Sequence, residues 1–159
     1  MTSKSTSISP TARRIAGLLC LIGWLALVPS AHAQVVGTVT NLSGILAARN
    51  AQGVTRLLAV DSPVHQGDTL TTESRAYAQL KFADGAELTL QPQSMLVVTR
   101  YSYDAGKPQD DKVELGLAQG GFRSIAGALG QRSRDATVIN TPAGVLKGSA
   151  SMVVSLVPQ

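Results

Sequence analysis

The sequence predicts an all-β fold: a jelly-roll-like antiparallel β-sandwich that follows an N-terminal signal peptide. Three observations predict it. From Gln34 onward the apolar residues recur with a period of two rather than 3.6. Turn signals return about every 8–12 residues, the spacing of sandwiches and barrels. No stretch of ten or more residues after Gln34 carries an amphipathic helical stripe. A chain of 159 residues holds one ordinary domain, and the reading divides it into an export segment, 1–33, and a sandwich, 34–159.

The export segment comes first. Arg13-Arg14 form a positive start, and Ile15–Val28 is a 14-residue apolar run. Pro29 and Ser30 end the run, and Ala31 and Ala33 place small residues where a signal peptidase needs them, with cleavage expected before Gln34. An uncleaved membrane anchor is the lesser alternative. A spanning helix wants roughly 20 apolar residues, so no stable transmembrane span is expected after cleavage. Cys20 lies inside the apolar run behind Leu18-Leu19, which does not fit a lipoprotein signal.

Cleavage sharpens the composition. The whole chain carries a net charge of +4, but 34–159 holds eleven bases against ten acids, or +1. That near-neutrality argues against a nucleic-acid partner, whose phosphates need many cations. Cys20, Trp24 and His32 leave with the signal, so the mature chain has no thiol and one imidazole. Disulfide frameworks, thiolate metal sites and Cys nucleophiles are excluded, and no cofactor is expected.

Strand candidates follow in order: Val35–Thr40, Ile45–Ala48 and Val54–Val60, separated by turns at Asn50–Gly53 and Asp61–Pro63. Ala76–Leu90 is a hairpin whose register can be argued. A two-residue Asp84-Gly85 loop would set each apolar row against a polar one. A three-residue loop, Ala83-Asp84-Gly85, pairs Phe82 with Ala86, Leu80 with Leu88 and Ala78 with Leu90, and places Lys81 opposite Glu87. This loop is a type I turn closed by a left-handed residue, which Gly85 supplies without steric cost. Met95–Tyr101, Lys112–Ala118, Ala136–Thr141 and Ser151–Val157 complete the set; in the last, Met152, Val154 and Leu156 share a face. Tyr101–Asp111 and Gly127–Asp135 are polar or small and read as mobile loops. Gln119-Gly120-Gly121 reads as a tight bend between strands.

Several of these pieces recur together in one known family. Gly67-Asp68-Thr69-Leu70-Thr71-Thr72 leads to Ala78-Gln79-Leu80-Lys81-Phe82, Asp84-Gly85, Glu87-Leu88-Thr89-Leu90 and Gln91-Pro92-Gln93-Ser94. Leu115–Ser124 and Val138–Ala143 follow. The order resembles the FecR family of bacterial periplasmic domains: a Gly-Asp turn, an Asp-Gly hairpin, a Leu-x-Leu-x-Pro-x-Ser segment, a Leu-x-x-Gly-x-x-Arg segment and a strand ending in Thr-Pro. The resemblance implies a jelly-roll-like sandwich and a periplasmic address. Two departures stand out. Lys147-Gly148-Ser149 occupies the family's Arg-Gly-Thr segment, replacing a planar guanidinium fork with a point charge. The family's namesake regulators also carry a cytoplasmic anti-sigma region, whereas here the 33 residues before the domain are read as an export signal, so sigma-factor regulation is not carried over.

Reactive constellations are few. Asp61, His65 and Asp68 alone combine metal-ligating residue types, but Asp commonly caps turns such as those around Pro63 and Gly67. Asp84 and Glu87 lie near a hairpin tip, where turn chemistry accounts for Asp84 and Lys81 for Glu87. Ser149 lacks the Gly-x-Ser-x-Gly context of a nucleophile elbow. No catalytic or metal-binding residue is assigned, and the chain is not expected to be an enzyme. Arg123, Arg132, Arg134 and Lys147 fall where acids are scarce, since only Asp135 follows Glu114. They form either a basic patch for an anionic partner or a solvated face that guards edge strands. Tyr101 and Tyr103 share a strand face and either stack on a sugar ring or close the sandwich end. The expectation is a non-catalytic periplasmic binding module, in signalling or envelope assembly, that meets an envelope protein or glycan. A glycan- or small-ligand-binding envelope protein is the alternative.

Overall fold

The computed structural model describes residues 34–148 and 151–156. The cleavage positions Ala31 and Ala33 lie outside the described residues; Gln34 is the first described residue and is exposed. Two sheets pack face to face. One has six strands: β1 (Val35–Ser43), β4 (Pro63–His65), β6 (Tyr77–Phe82), β7 (Glu87–Leu90), β10 (Gly121–Ile125) and β13 (Met152–Ser155), in the order β13-β10-β7-β6-β1-β4. The other has seven: β2 (Leu46–Arg49), β3 (Thr55–Leu58), β5 (Thr69–Thr72), β8 (Met95–Ser102), β9 (Lys112–Gln119), β11 (Thr137–Thr141) and β12 (Gly144–Lys147), in the order β12-β11-β9-β8-β5-β2-β3.

The alternation seen in the sequence is the alternation of burial. In β6, Ala78, Leu80 and Phe82 point inward while Tyr77 and Lys81 are exposed. In β9, Val113, Leu115 and Leu117 face the core. The β6–β7 register is the three-residue-loop one: Ala78 opposes Leu90, Leu80 opposes Leu88 and Lys81 opposes Glu87. Phe82 N–H donates to the Ala86 carbonyl at 2.8 Å, and Gly85 takes φ +82°. Placing each apolar row against another row inside the sandwich decides this register. Glu87 accepts a hydrogen bond from Gln79 Nε2 at 3.3 Å rather than pairing closely with Lys81.

Hairpins within one sheet (β2–β3, β6–β7, β8–β9, β11–β12) are joined by crossings to the other sheet. The crossing corners recruit left-handed residues: Gly44, Asp61, Gly67, Gln93 and Gly120 all have positive φ. Such a corner turns the chain sharply enough to pass the next inward side chain to the opposite sheet.

The expected sandwich is antiparallel in every described pairing except β9 with β11, which run parallel with Leu115 opposite Ile139. Between them the chain crosses to the other sheet as β10 and returns, so β11 enters from the same end as β9. Gly127–Asp135 is not an open loop. It forms a short helix, α1 (Ala128–Arg132), and a 3-10 turn, Arg134–Ala136. Leu129 on α1 is 1% exposed and plugs the core. A five-residue helix presents too few turns for a visible apolar stripe. The strand predicted over Ser151–Val157 spans Met152–Ser155, with Val154 buried and Met152 and Leu156 packed against the core.

Candidate functional site

Three buried carboxylates and the buried Ser94 hydroxyl are the hubs that hold the corners together. Asp68 is 1% exposed. Its oxygens accept from Arg56 Nη1 at 3.1 Å and Nη2 at 2.6 Å, and from the His65 backbone N–H at 2.8 Å. Arg56 Nη2 also lies 2.9 Å from His65 Nδ1, which orients Nδ1 as the acceptor. His65 and Asp68 are thus brought together by a guanidinium, an arrangement that repels a metal cation. Asp61 sits apart at a left-handed corner, φ +68°. Among the described residues no group of three or more His, Asp or Glu side chains is placed to hold a metal ion.

Asp84 is the second hub. Its Oδ1 accepts from the Tyr101 hydroxyl at 2.5 Å and from Ala86 N–H at 3.0 Å, and its Oδ2 accepts from Leu129 N–H at 3.3 Å. Ala128 N–H reaches the Asp84 carbonyl at 2.9 Å. One carboxylate therefore ties the hairpin tip, β8 and α1. Gly127 permits this approach, since a Cβ there would collide with Ala86 N and lie 2.6 Å from Asp84 Oδ2.

The third carboxylate, Asp111, is gripped by Arg132 through Nε at 2.8 Å and Nη2 at 2.7 Å, and by the Ser133 hydroxyl at 2.7 Å. The Arg132 guanidinium holds the Asp111 carboxyl below the usual carboxylate range, with burial opposing it and Ser133 assisting. Arg132 also donates to the carbonyls of Asp104 and Ala105 and lies 4.9 Å from the centre of the Tyr103 ring. This clamp fastens the Tyr103–Asp111 segment to α1.

Ser94 is the fourth hub. Its hydroxyl donates to the Gly121 carbonyl at 2.8 Å and accepts from Gly121 N–H at 2.9 Å. Its backbone N–H meets Thr72 Oγ1 at 3.0 Å, and Thr72 donates to the Gln91 carbonyl at 2.6 Å.

Three of these hubs, Asp68, Asp84 and Ser94, account for the motifs read in the sequence: the Gly-Asp turn, the Asp-Gly hairpin, and the Pro-x-Ser segment with the Gly-Gly bend. The sequence profile described as FecR protein matches residues 68–153.

The chain belongs to the FecR family.

None of the curated proteins matches the FecR chain. It is similar to a solved structure titled "Cell surface anchoring domain", at 24% identity over 39% of this chain and 82% of that chain, with a TM-score of 0.38.

The proposed surface residues divide on this FecR domain. Tyr101 is 3% exposed, its ring stacked on Phe82 at 5.0 Å between centroids. Burial, then the hydrogen bond to Asp84, pushes its phenol well above the ordinary tyrosine value. It offers no open face to a sugar, which corrects the stacking role considered for the pair. Tyr103 is half-buried under Arg132. Arg132 is a clamp residue rather than an open cation. Arg123, Arg134 and Lys147 are exposed. The two Arg–Asp ion pairs among the described residues engage Arg56 and Arg132. Arg134 and Lys147 line one groove with Asp135, Ala126 and Met152, whereas Arg123 stands on the outward face of β10. Sequence reasoning missed Arg56, whose partner lies 12 residues on across a sheet crossing; no local spacing signals that pair.

Proposed function

We propose that this FecR domain is a non-catalytic binding module of the bacterial cell envelope, exported to the periplasm, that meets an anionic protein or glycan through the exposed cations of its C-terminal third. The supporting observation is the division of labour among polar residues. Asp68, Asp84, Asp111 and Ser94 are consumed in the fold's own hydrogen bonds, while Arg123, Arg134 and Lys147 are exposed and outside its ion pairs. Exposed unpaired cations on a near-neutral domain attract anionic surfaces in a salt-dependent way. Family membership supports the envelope address.

Fractionation of cells producing the full chain tests the address: the protein is expected in the periplasmic fraction with Gln34 at its N-terminus. Capture of envelope components tests the binding. The same components should be retained at low salt by the exported protein and lost from a variant carrying Arg123→Glu, Arg134→Glu and Lys147→Glu. A cytoplasmic protein, or capture indifferent to the three charge reversals, overturns the reading.

A further inference from the structure

Between the sheets, beneath α1, lies a cavity of about 50 Å³ whose walls include Phe82, Leu88, Leu115, Phe122, Leu129 and Ile139. Ala126, Gly130, Gly148 and Met152 line both this cavity and the open groove outside it. The groove carries Arg134 and Lys147, with Asp135 as its acid. A mostly apolar recess and a groove with two cations thus share a boundary of small residues and a methionine. Methionine suits such a boundary, because its unbranched side chain can shift to admit a ligand.

We propose that this slot binds a short-chain aliphatic carboxylate, its head between Arg134 and Lys147 and its tail passing Met152 into the cavity. The inference deepens the reading of the exposed C-terminal cations as a binding surface and rests on it. Two features fix the ligand class. The rim cations attract an anion, and the planar guanidinium of Arg134 matches a carboxylate. The mostly apolar recess, lined also by Asp84, Tyr101, Ser124 and Thr137, rewards an apolar tail, and its Asp84 carboxylate disfavours a second anion there. The tail is short. A water-sized group takes about 10–15 Å³ on this scale, so the 50 Å³ recess admits only a few such groups.

The test uses the exported full chain with acetate, butanoate, hexanoate and octanoate, followed by titration and by the methyl resonances of Leu129, Ile139 and Met152. Affinity should rise about fourfold per added methylene, the equivalent of about 0.8 kcal/mol, and level off beyond hexanoate. Hexanol, lacking the charge, should bind far more weakly. Lys147→Gln and Arg134→Gln should each weaken hexanoate severalfold, Asp135→Asn should tighten it, and Lys81→Gln, at an exposed position on β6, should leave it unchanged. These are surface substitutions that leave the core untouched. Equal binding of hexanol and hexanoate, no dependence on tail length, or unmoved Leu129 and Ile139 methyls at millimolar hexanoate overturns the slot. Retained salt-dependent envelope capture alongside such a result overturns the slot alone, because capture is measured on the same protein without hexanoate.

Discussion

Replacing Asp84 with Ala removes the acceptor for three donors at once. The Tyr101 hydroxyl and the Leu129 N–H are buried, while Ala86 N–H lies in a partly buried setting that water can reach. A buried donor left without a partner costs about 1–3 kcal/mol, so the two buried donors together cost about 2–6 kcal/mol. A domain of this kind has a total stability of about 5–15 kcal/mol, so the substitution removes a large share of it. With a urea slope of about 2 kcal/mol/M, the midpoint falls by about 1–3 M at an unchanged slope. Urea unfolding followed by circular dichroism gives that midpoint. A double-mutant cycle with Tyr101→Phe isolates the contact, and a coupling of about 0.5–3 kcal/mol is expected between groups in direct hydrogen bond. An Asp84→Ala protein within about 0.5 kcal/mol of the parent, or strict additivity in the cycle, refutes the assignment of Asp84 as the tie between hairpin, β8 and α1.

Three further outcomes follow from the same hubs. Because the Tyr101 phenol is raised in the folded state, its contribution is fully present below the unfolded tyrosine value of about 10 and fades as pH rises above it; Tyr101→Phe should flatten that alkaline loss in pH-dependent unfolding. Asp111 is lowered by Arg132, so its contribution is present above the unfolded value of 3.8 and is lost as pH falls through the lower folded one; Asp111→Asn should make the acid limb shallower, and an unchanged limb counts against the clamp. Gly85 and Gly120 have φ of +82° and +73°, but a Cβ at Gly85 meets nothing within 4 Å, whereas one at Gly120 collides with Ser94 Oγ and lies 2.6 Å from the Gln93 carbonyl. Gly85→Ala should therefore cost about 1–2 kcal/mol for backbone conformation alone, and Gly120→Ala markedly more in thermal unfolding; equal costs would refute the packing argument.

By itself the sequence determined the all-β class, the β6–β7 register, the bend at Gly120 and the family. Each follows from residues near in sequence: a period of two fixes which side faces in, and a turn of known length fixes which residues oppose. Only the tertiary structure decided the rest. The parallel pairing of β9 with β11, the helix α1, the Arg56–Asp68 and Asp111–Arg132 pairs and the burial of Tyr101 depend on where a crossing strand re-enters its sheet. The distant hub partners stand 12 to 45 residues apart. A local pattern specifies which face of a strand is apolar. It does not specify which distant polar group that strand will meet, because the meeting is set by the packing of whole sheets.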